Sequence, residues 1–174
     1  MMKPLTLTSF ESSIGTFLIG GHEEAVYFVK MGDRDEWVEK WRLKNQVAEP
    51  VFDENAFSNV KEEFLQYLNG ELINFTFKTD LLGTEFQKQV WKALKDIPYG
   101  QQWTYKDIAG AINKPKAIRA VGGAINKNPI TIAIPCHRVI GSDGSLTGYA
   151  SGLDKKRFLL HHETKSKHWL HQTS

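Results

Sequence analysis

A chain of 174 residues, 41% hydrophobic and 24% charged, is long enough to bury a core as one larger domain or two small ones, and no apolar run approaches the ~20 residues that cross a bilayer. Its single cysteine excludes an internal disulfide and a Cys-based zinc site, and the histidines form no H-E-x-x-H pair, so no metal is expected. The net charge of +2 is uneven: residues 1–80 carry 8 Lys+Arg against 14 Asp+Glu, and residues 81–174 carry 14 against 6, which fits either a polyanion partner for the second half or two differently solvated faces.

The opening stretch "MMKPLTLTSFESS" lacks the apolar segment and cleavage site of a signal peptide, and a lone thiol suits a reducing compartment, so a cytoplasmic location is expected. "LTLTSF", "GTFLIGG" and "AVYFVK" are short β-branched or aromatic runs separated by turn residues, and predict an antiparallel hairpin or meander. "RDEWVEKWRLKN" then sets Trp37, Trp41 and Leu43 near helical spacing. "AFSNVKEEFLQYLNGE" repeats the pattern with Phe57, Val60, Phe64 and Leu68, and Gly70 stops it. This half holds no chemical constellation and reads as a structural α+β domain.

A boundary falls within "KTDLLG", residues 78–83, giving expected domains of 1–80 and 81–174. Thr84 and Gln87 have the spacing of a capping box, and Phe86, Val90 and Leu94 line one face of the helix that follows. Thr104 and Asp107 give a second cap signal, with Ile108, Ala109 and Ile112 as the apolar face. "NKP" predicts a turn, and Pro115 suits the first position of another helix, so the stretch reads as helix, turn, helix. Lys106, Lys114, Lys116, Arg119 and Lys127 gather here against Asp107 alone. Gly122 and Gly123 fall inside the second helix, each costing about 1 kcal/mol relative to alanine, unless the helix ends at Val121. Close approach by another backbone would explain them, and the basic cluster favours nucleic-acid contact over an ordinary helical hairpin.

"ITIAIP" predicts a strand that delivers Cys136 to a turn ahead of His137 and Arg138. Free cysteine is most often buried and inert. Here an adjacent titratable histidine and a permanent cation can both lower a thiol pKa. Glu163 ends a helix-like "GLDKKRFLLHHE", with Leu153, Phe158 and Leu159 expected in the core, and is a candidate to orient His137. Spacing alone leaves that pairing open.

The stretches "EFQKQVWKALKDIPYGQQWTYKDIA", "RAVGGAINKNPI", "IPCHRVIG" and "GSLTGYASGLDKKRFLLHHE" together resemble the methylated-DNA–protein-cysteine methyltransferases, densely over residues 83–163 and weakly before. The resemblance implies an α+β chain: a small N-terminal antiparallel-sheet-plus-helix domain, then a mainly helical DNA-binding domain with a winged-helix-like helix-turn-helix. It implies irreversible transfer of the alkyl group of O(6)-alkylguanine to Cys136, with His137 drawing off the thiol proton through a water and Glu163 orienting His137. Tyr105 would donate to the departing purine, and the helix bearing Arg119 would lie in the minor groove, with Arg119 replacing the extruded base. Thr104, Lys116, Ala120, Gly122, Gly123 and Arg138 are the other residues expected on DNA. Asn128 would tie that helix to the cysteine turn, and Tyr149, Ala150 and Ser151 would wall the base pocket. Tyr105 as a core aromatic, Asn128 as a turn residue and Glu163 as a surface charge are the plainer readings beside these.

No cofactor is implied, because the damaged base is itself the donor, and the partner is double-stranded DNA carrying O(6)-alkylguanine, with O(4)-alkylthymine a further candidate, met by a monomer and not by a membrane. Two positions depart from the family pattern: Ser151 and Thr131 stand where glycine and often proline are usual. The first should narrow the pocket and the second bears on local rigidity. A non-catalytic sensor of alkylated DNA is the alternative on the same fold, though that class lacks the acceptor cysteine, and a cysteine hydrolase is a third reading. No second acceptor cysteine is present for phosphotriester repair.

Overall fold

Strand-forming runs split by turns assemble the first part of the chain. In the computed structural model, which describes the backbone of residues 1–173 and the side chains of residues 1–166, β1 (Lys3–Ser12), β2 (Gly15–His22) and β3 (Ala25–Met31) pair antiparallel in succession. Between β3 and the next strand lies α1 (Asp35–Lys44), and α2 (Ser58–Leu68) follows it. That next strand, β4 (Val47–Phe52), is not foreseen in the sequence: it joins β1 in parallel, so the sheet is mixed, in the order β3-β2-β1-β4. Glu49 and Pro50 break its apolar pattern, and proline is tolerated because β4 is an edge strand.

α1 packs Val38, Trp37 and Trp41 against Leu5, Tyr27, Phe28 and Val47. Leu43, expected on that face, is 58% exposed, because Val38 rather than Leu43 completes the stripe with Trp41. α2 buries Val60, Phe64 and Tyr67, with Phe64 5.6 Å from the Phe17 ring. These residues form one unit, Met1–Leu82, completed by Pro129–Thr131 from far along the sequence. The Val29 N–H donates to the Pro129 carbonyl (2.9 Å), and the Thr131 N–H donates to Val29 (3.0 Å).

The second unit spans Gly83–Asn128 and Ile132–Ser174. Both capping boxes form: Thr84 accepts from the Gln87 N–H at the start of α3 (Glu85–Leu94), and Thr104 from the Asp107 N–H at the start of α4 (Tyr105–Ala111). Trp103 and Thr104 form β5, which pairs in parallel with β6 (Val139–Ile140). α5 (Ile118–Asn126) runs past Val121, so Gly122 and Gly123 are helix interior. Pro115 is not its first residue. Asn113 ends α4 in a left-handed conformation (φ 60°), with the Lys114 N–H donating to Ala109 (2.9 Å) and the Asn113 N–H to Gly110 (3.0 Å). This is the Schellman arrangement with asparagine in the glycine role, and Pro115 falls just beyond it, in the turn.

The run Ile130–Pro135, expected as a strand, makes one isolated bridge at Ile130 and then turns, with Ile132 at φ 68°. Its isoleucines are all buried, and burial without a partner strand gives the same apolar run in sequence. A 3-10 turn over Cys136–Arg138 leads into β6, and α6 (Leu153–Thr173) closes the unit. Among the described residues no helix is long and apolar enough to cross a membrane.

α3 fixes α5 through one buried bond, from the Trp91 indole N–H to the Ala124 carbonyl (2.9 Å). Trp91→Phe keeps the ring packing and removes the indole bond, leaving the Ala124 carbonyl with the Lys127 N–H (3.1 Å) alone. It should lower unfolding free energy by about 0.5–1.5 kcal/mol in urea titration. An unchanged midpoint would mean that the bond does not anchor α5.

Candidate active site

Cys136 is half-buried at the start of the 3-10 turn, which its N–H enters by donating to the Ile134 carbonyl (2.7 Å). The Asn128 amide reaches the same turn from just beyond α5, donating to the Ile134 carbonyl (2.8 Å) and to Cys136 Sγ (3.0 Å). Asn128 is itself buried, so it is more than an ordinary turn residue: it joins the end of α5 to the cysteine.

His137 is fully buried, and its Nε2 lies 2.7 Å from Glu163 Oε2 on α6. Arg138 forks onto the same carboxylate, Nε to Oε1 (2.8 Å) and Nη2 to Oε2 (2.9 Å), while its Nη1 donates to the Ile97 carbonyl (2.7 Å). Burial pushes the Glu163 carboxyl up, but the hydrogen bonds from His137 and Arg138, together with the Arg138 charge, outweigh it and hold the group well below the usual carboxylate range. Burial pushes His137 below its ordinary 6.5 despite the carboxylate, and the Arg138 and Lys156 charges push the same way. The imidazole is therefore neutral. A carboxylate accepts only, so the bonding pattern assigns the ring proton to Nε2. Nδ1 then carries the lone pair, and it is buried with no hydrogen-bond partner among the described residues.

The cation expected on DNA at Arg138 is thus inside the protein. Its guanidinium is committed to Glu163 and Ile97 and lies 5.5 Å over the Tyr99 ring, so it has no exposed donor face to offer a phosphate. The residue type cannot distinguish a surface cation from a buried partner of a carboxylate.

Tyr105, the first residue of α4, donates its hydroxyl to the Thr147 carbonyl (3.2 Å) in the loop that continues through Tyr149, Ala150 and Ser151. Tyr149 and Ser151 are half-buried and Ala150 is exposed. Lys156, which the sequence does not single out, is fully buried and bonds through Nζ to the Val139 carbonyl (2.5 Å) and the Thr147 carbonyl (3.0 Å). A signal for it exists: Lys156, Leu159 and Glu163 follow one another at helical spacing and are all buried. The residues expected in that core face, Leu153 and Phe158, are exposed.

On the outer side Lys116, Arg119, Ala120 and Gly123 are exposed and Gly122 is half-buried. Thr104 is spent on capping α4. Ile118 is an exposed apolar residue beside Arg119.

Residues 85–165 match the family model for the 6-O-methylguanine DNA methyltransferase DNA binding domain, and residues 5–81 match the ribonuclease-like domain of the same protein. The chain belongs to the 6-O-methylguanine DNA methyltransferase family. Family relatives include the methylated-DNA–protein-cysteine methyltransferase of Methanosarcina acetivorans, 49% identical over 87% of this chain and 93% of that one. The Haemophilus influenzae protein of the same name is 40% identical over 91% and 86%. Among solved family structures, Mycobacterium tuberculosis OGT in complex with DNA superposes with a TM-score of 0.82, at 39% identity, over 92% of this chain and 94% of that one.

Acid acts on this site with a definite sign. His137 and Glu163 both bind protons more weakly folded than unfolded, so their contribution is present above the unfolded values and is lost as pH falls. Stability should fall first below about pH 6.5 and again below about 4.5, the ordinary values of the two groups, as measured by urea unfolding across pH. Glu163→Gln should lower stability by about 3–5 kcal/mol at pH 7.5, because it strands the buried Arg138 charge. A flat profile from pH 7.5 to 4 would contradict the buried, ionised carboxylate.

Proposed function

We propose that this chain is a DNA-repair methyltransferase that takes the alkyl group from O(6)-alkylguanine in double-stranded DNA onto Cys136. The observation that carries the reading is the half-exposed thiol held by Asn128 next to a buried, neutral His137 whose Nε2–H is committed to Glu163. In the proposed step Cys136 Sγ attacks the alkyl carbon and a C–S bond forms. The carbon–O6 bond breaks with its electron pair going to guanine. The thiol proton passes by way of a water to His137 Nδ1, the one ring nitrogen with a lone pair to receive it. Tyr105, whose hydroxyl is presented at the Thr147 loop, donates to the departing purine. The thioether has no route back to a thiol, so each molecule acts once, and a reducing cytoplasm keeps the sole thiol available until then.

The guanine must leave the stack to reach a thiol set behind α5. Several features of α5 support a minor-groove role. A methyl group added at Gly123 would meet nothing in the protein, and one at Gly122 would make only ordinary contact with the Tyr105 ring at 3.9 Å. Nothing inside the unit requires either glycine, so the requirement belongs to a surface that approaches from outside. Arg119, exposed and with no hydrogen bond or ion pair among the described residues, has the length and planar guanidinium to fill the vacated stack. A family relative crystallised in complex with DNA supports DNA as the partner.

Intact-protein mass spectrometry after incubation with a duplex carrying one O(6)-methylguanine should show a gain of one methyl per chain, mapped to Cys136 and absent in Cys136→Ser. Lesion binding without a mass change would instead favour a damage sensor. On the pocket wall, Ser151→Gly should speed transfer of benzyl relative to methyl, and equal benzyl and methyl rates in the unmodified protein would remove Ser151 as a size filter.

A further inference from the structure

A lysine with no exposed surface is expensive to keep, and none of the proposed chemistry uses Lys156. Its neighbours are specific. The ammonium bridges the carbonyl of Val139, which directly follows the cysteine turn, and the carbonyl of Thr147, at the head of the pocket loop. The Thr147 carbonyl also accepts the hydroxyl of Tyr105, at 3.2 Å, so one oxygen serves an ammonium and a phenol together. The two donors are unequal, since a charged donor makes the stronger bond.

This sharing has a chemical consequence. If the phenol is to donate to a purine, it must leave the carbonyl, and the part-buried side of that carbonyl, where the ammonium sits, would otherwise be left without a donor. With the ammonium in place the carbonyl stays satisfied after the phenol has gone. The same ammonium holds the pocket loop to the strand that carries the nucleophile's turn.

We propose that Lys156 is a positioning residue for alkyl transfer: its ammonium clamps the Thr147 carbonyl to the Val139 carbonyl, fixing the pocket loop against the cysteine turn and freeing the Tyr105 hydroxyl for the departing base. The inference rests on the repair reading above. Burial lowers the ammonium's own pKa, and the electrostatic pull of Cys136 opposes part of that loss.

The test is single-turnover methyl transfer from an O(6)-methylguanine duplex, with Lys156→Met, Tyr105→Phe and the double variant measured against the unmodified chain. Lys156→Met keeps the length of the stem and removes the charge. The limiting rate should fall roughly tenfold or more, with the duplex concentration at half-saturation unchanged within about twofold. The loss should shrink in the Tyr105→Phe background, because there is then no hydroxyl to release. Should Lys156→Met lose its near-ultraviolet circular dichroism, the same readings are taken on Lys156→Gln. A wild-type limiting rate, a loss confined to half-saturation, or a loss of undiminished size in the Tyr105→Phe background would each overturn the proposal. If the unmodified chain itself moves no methyl to Cys136, the repair reading fails instead, which is a separate outcome.

Discussion

Everything around the nucleophile depends on one buried carboxylate. Glu163 is desolvated on α6, and by itself that environment would favour a neutral acid. The His137 N–H and two parallel bonds from Arg138 reverse this and keep the group ionised. Each partner is costly alone, because a lone guanidinium or a lone carboxylate at this depth would be an unpaired buried charge. Together they fix the 3-10 turn to α6, and Arg138 adds a bond to Ile97, just past the end of α3. The position of Cys136 is thus set by electrostatics that run through the two residues following it.

The same pairing decides the protonation state of the site. An imidazole beside a carboxylate is often drawn toward its cationic form, yet here desolvation prevails and the Arg138 charge already answers the carboxylate. Glu163 therefore acts on the tautomer more than on the charge. It claims Nε2–H and leaves Nδ1 basic. On the other side of the thiol, Asn128 donates to both the Ile134 carbonyl and Sγ, so the sulfur is held by a group that follows α5 by two residues. The end of α5 and the sulfur are joined through a single amide side chain.

Much of this is legible in the sequence where local rules act. The boxes at Thr84 and Thr104 need only neighbouring residues, and the first three strands announce themselves by turns and alternation. The Cys136–His137–Glu163 group is readable because chemistry restricts which residue types can serve. β4 is hidden because its edge position admits Pro50 and Glu49, which read as a break. Ile130–Pro135 misleads for the opposite reason: buried isoleucines on an irregular backbone look like a strand. Leu43, Leu153 and Phe158 show that helical spacing finds a face without fixing which flank of it turns inward.

The cations of the second half separate most clearly from their sequence appearance. Counted by type they form one basic population, and a basic population beside a helix-turn-helix pattern points outward to phosphate. Burial divides them. Lys116 and Arg119 are exposed on or beside α5, whereas Arg138 and Lys156 are interior, one answering a carboxylate and the other two carbonyls. On the proposed reading the exposed group would act through counterion release, so its contribution should weaken steeply with salt. The interior group is shielded from bulk ions and works at fixed distances, so its contribution should persist when binding has been weakened by salt. On the proposed reading, affinity for the duplex and reactivity of the thiol would be governed by different positive charges.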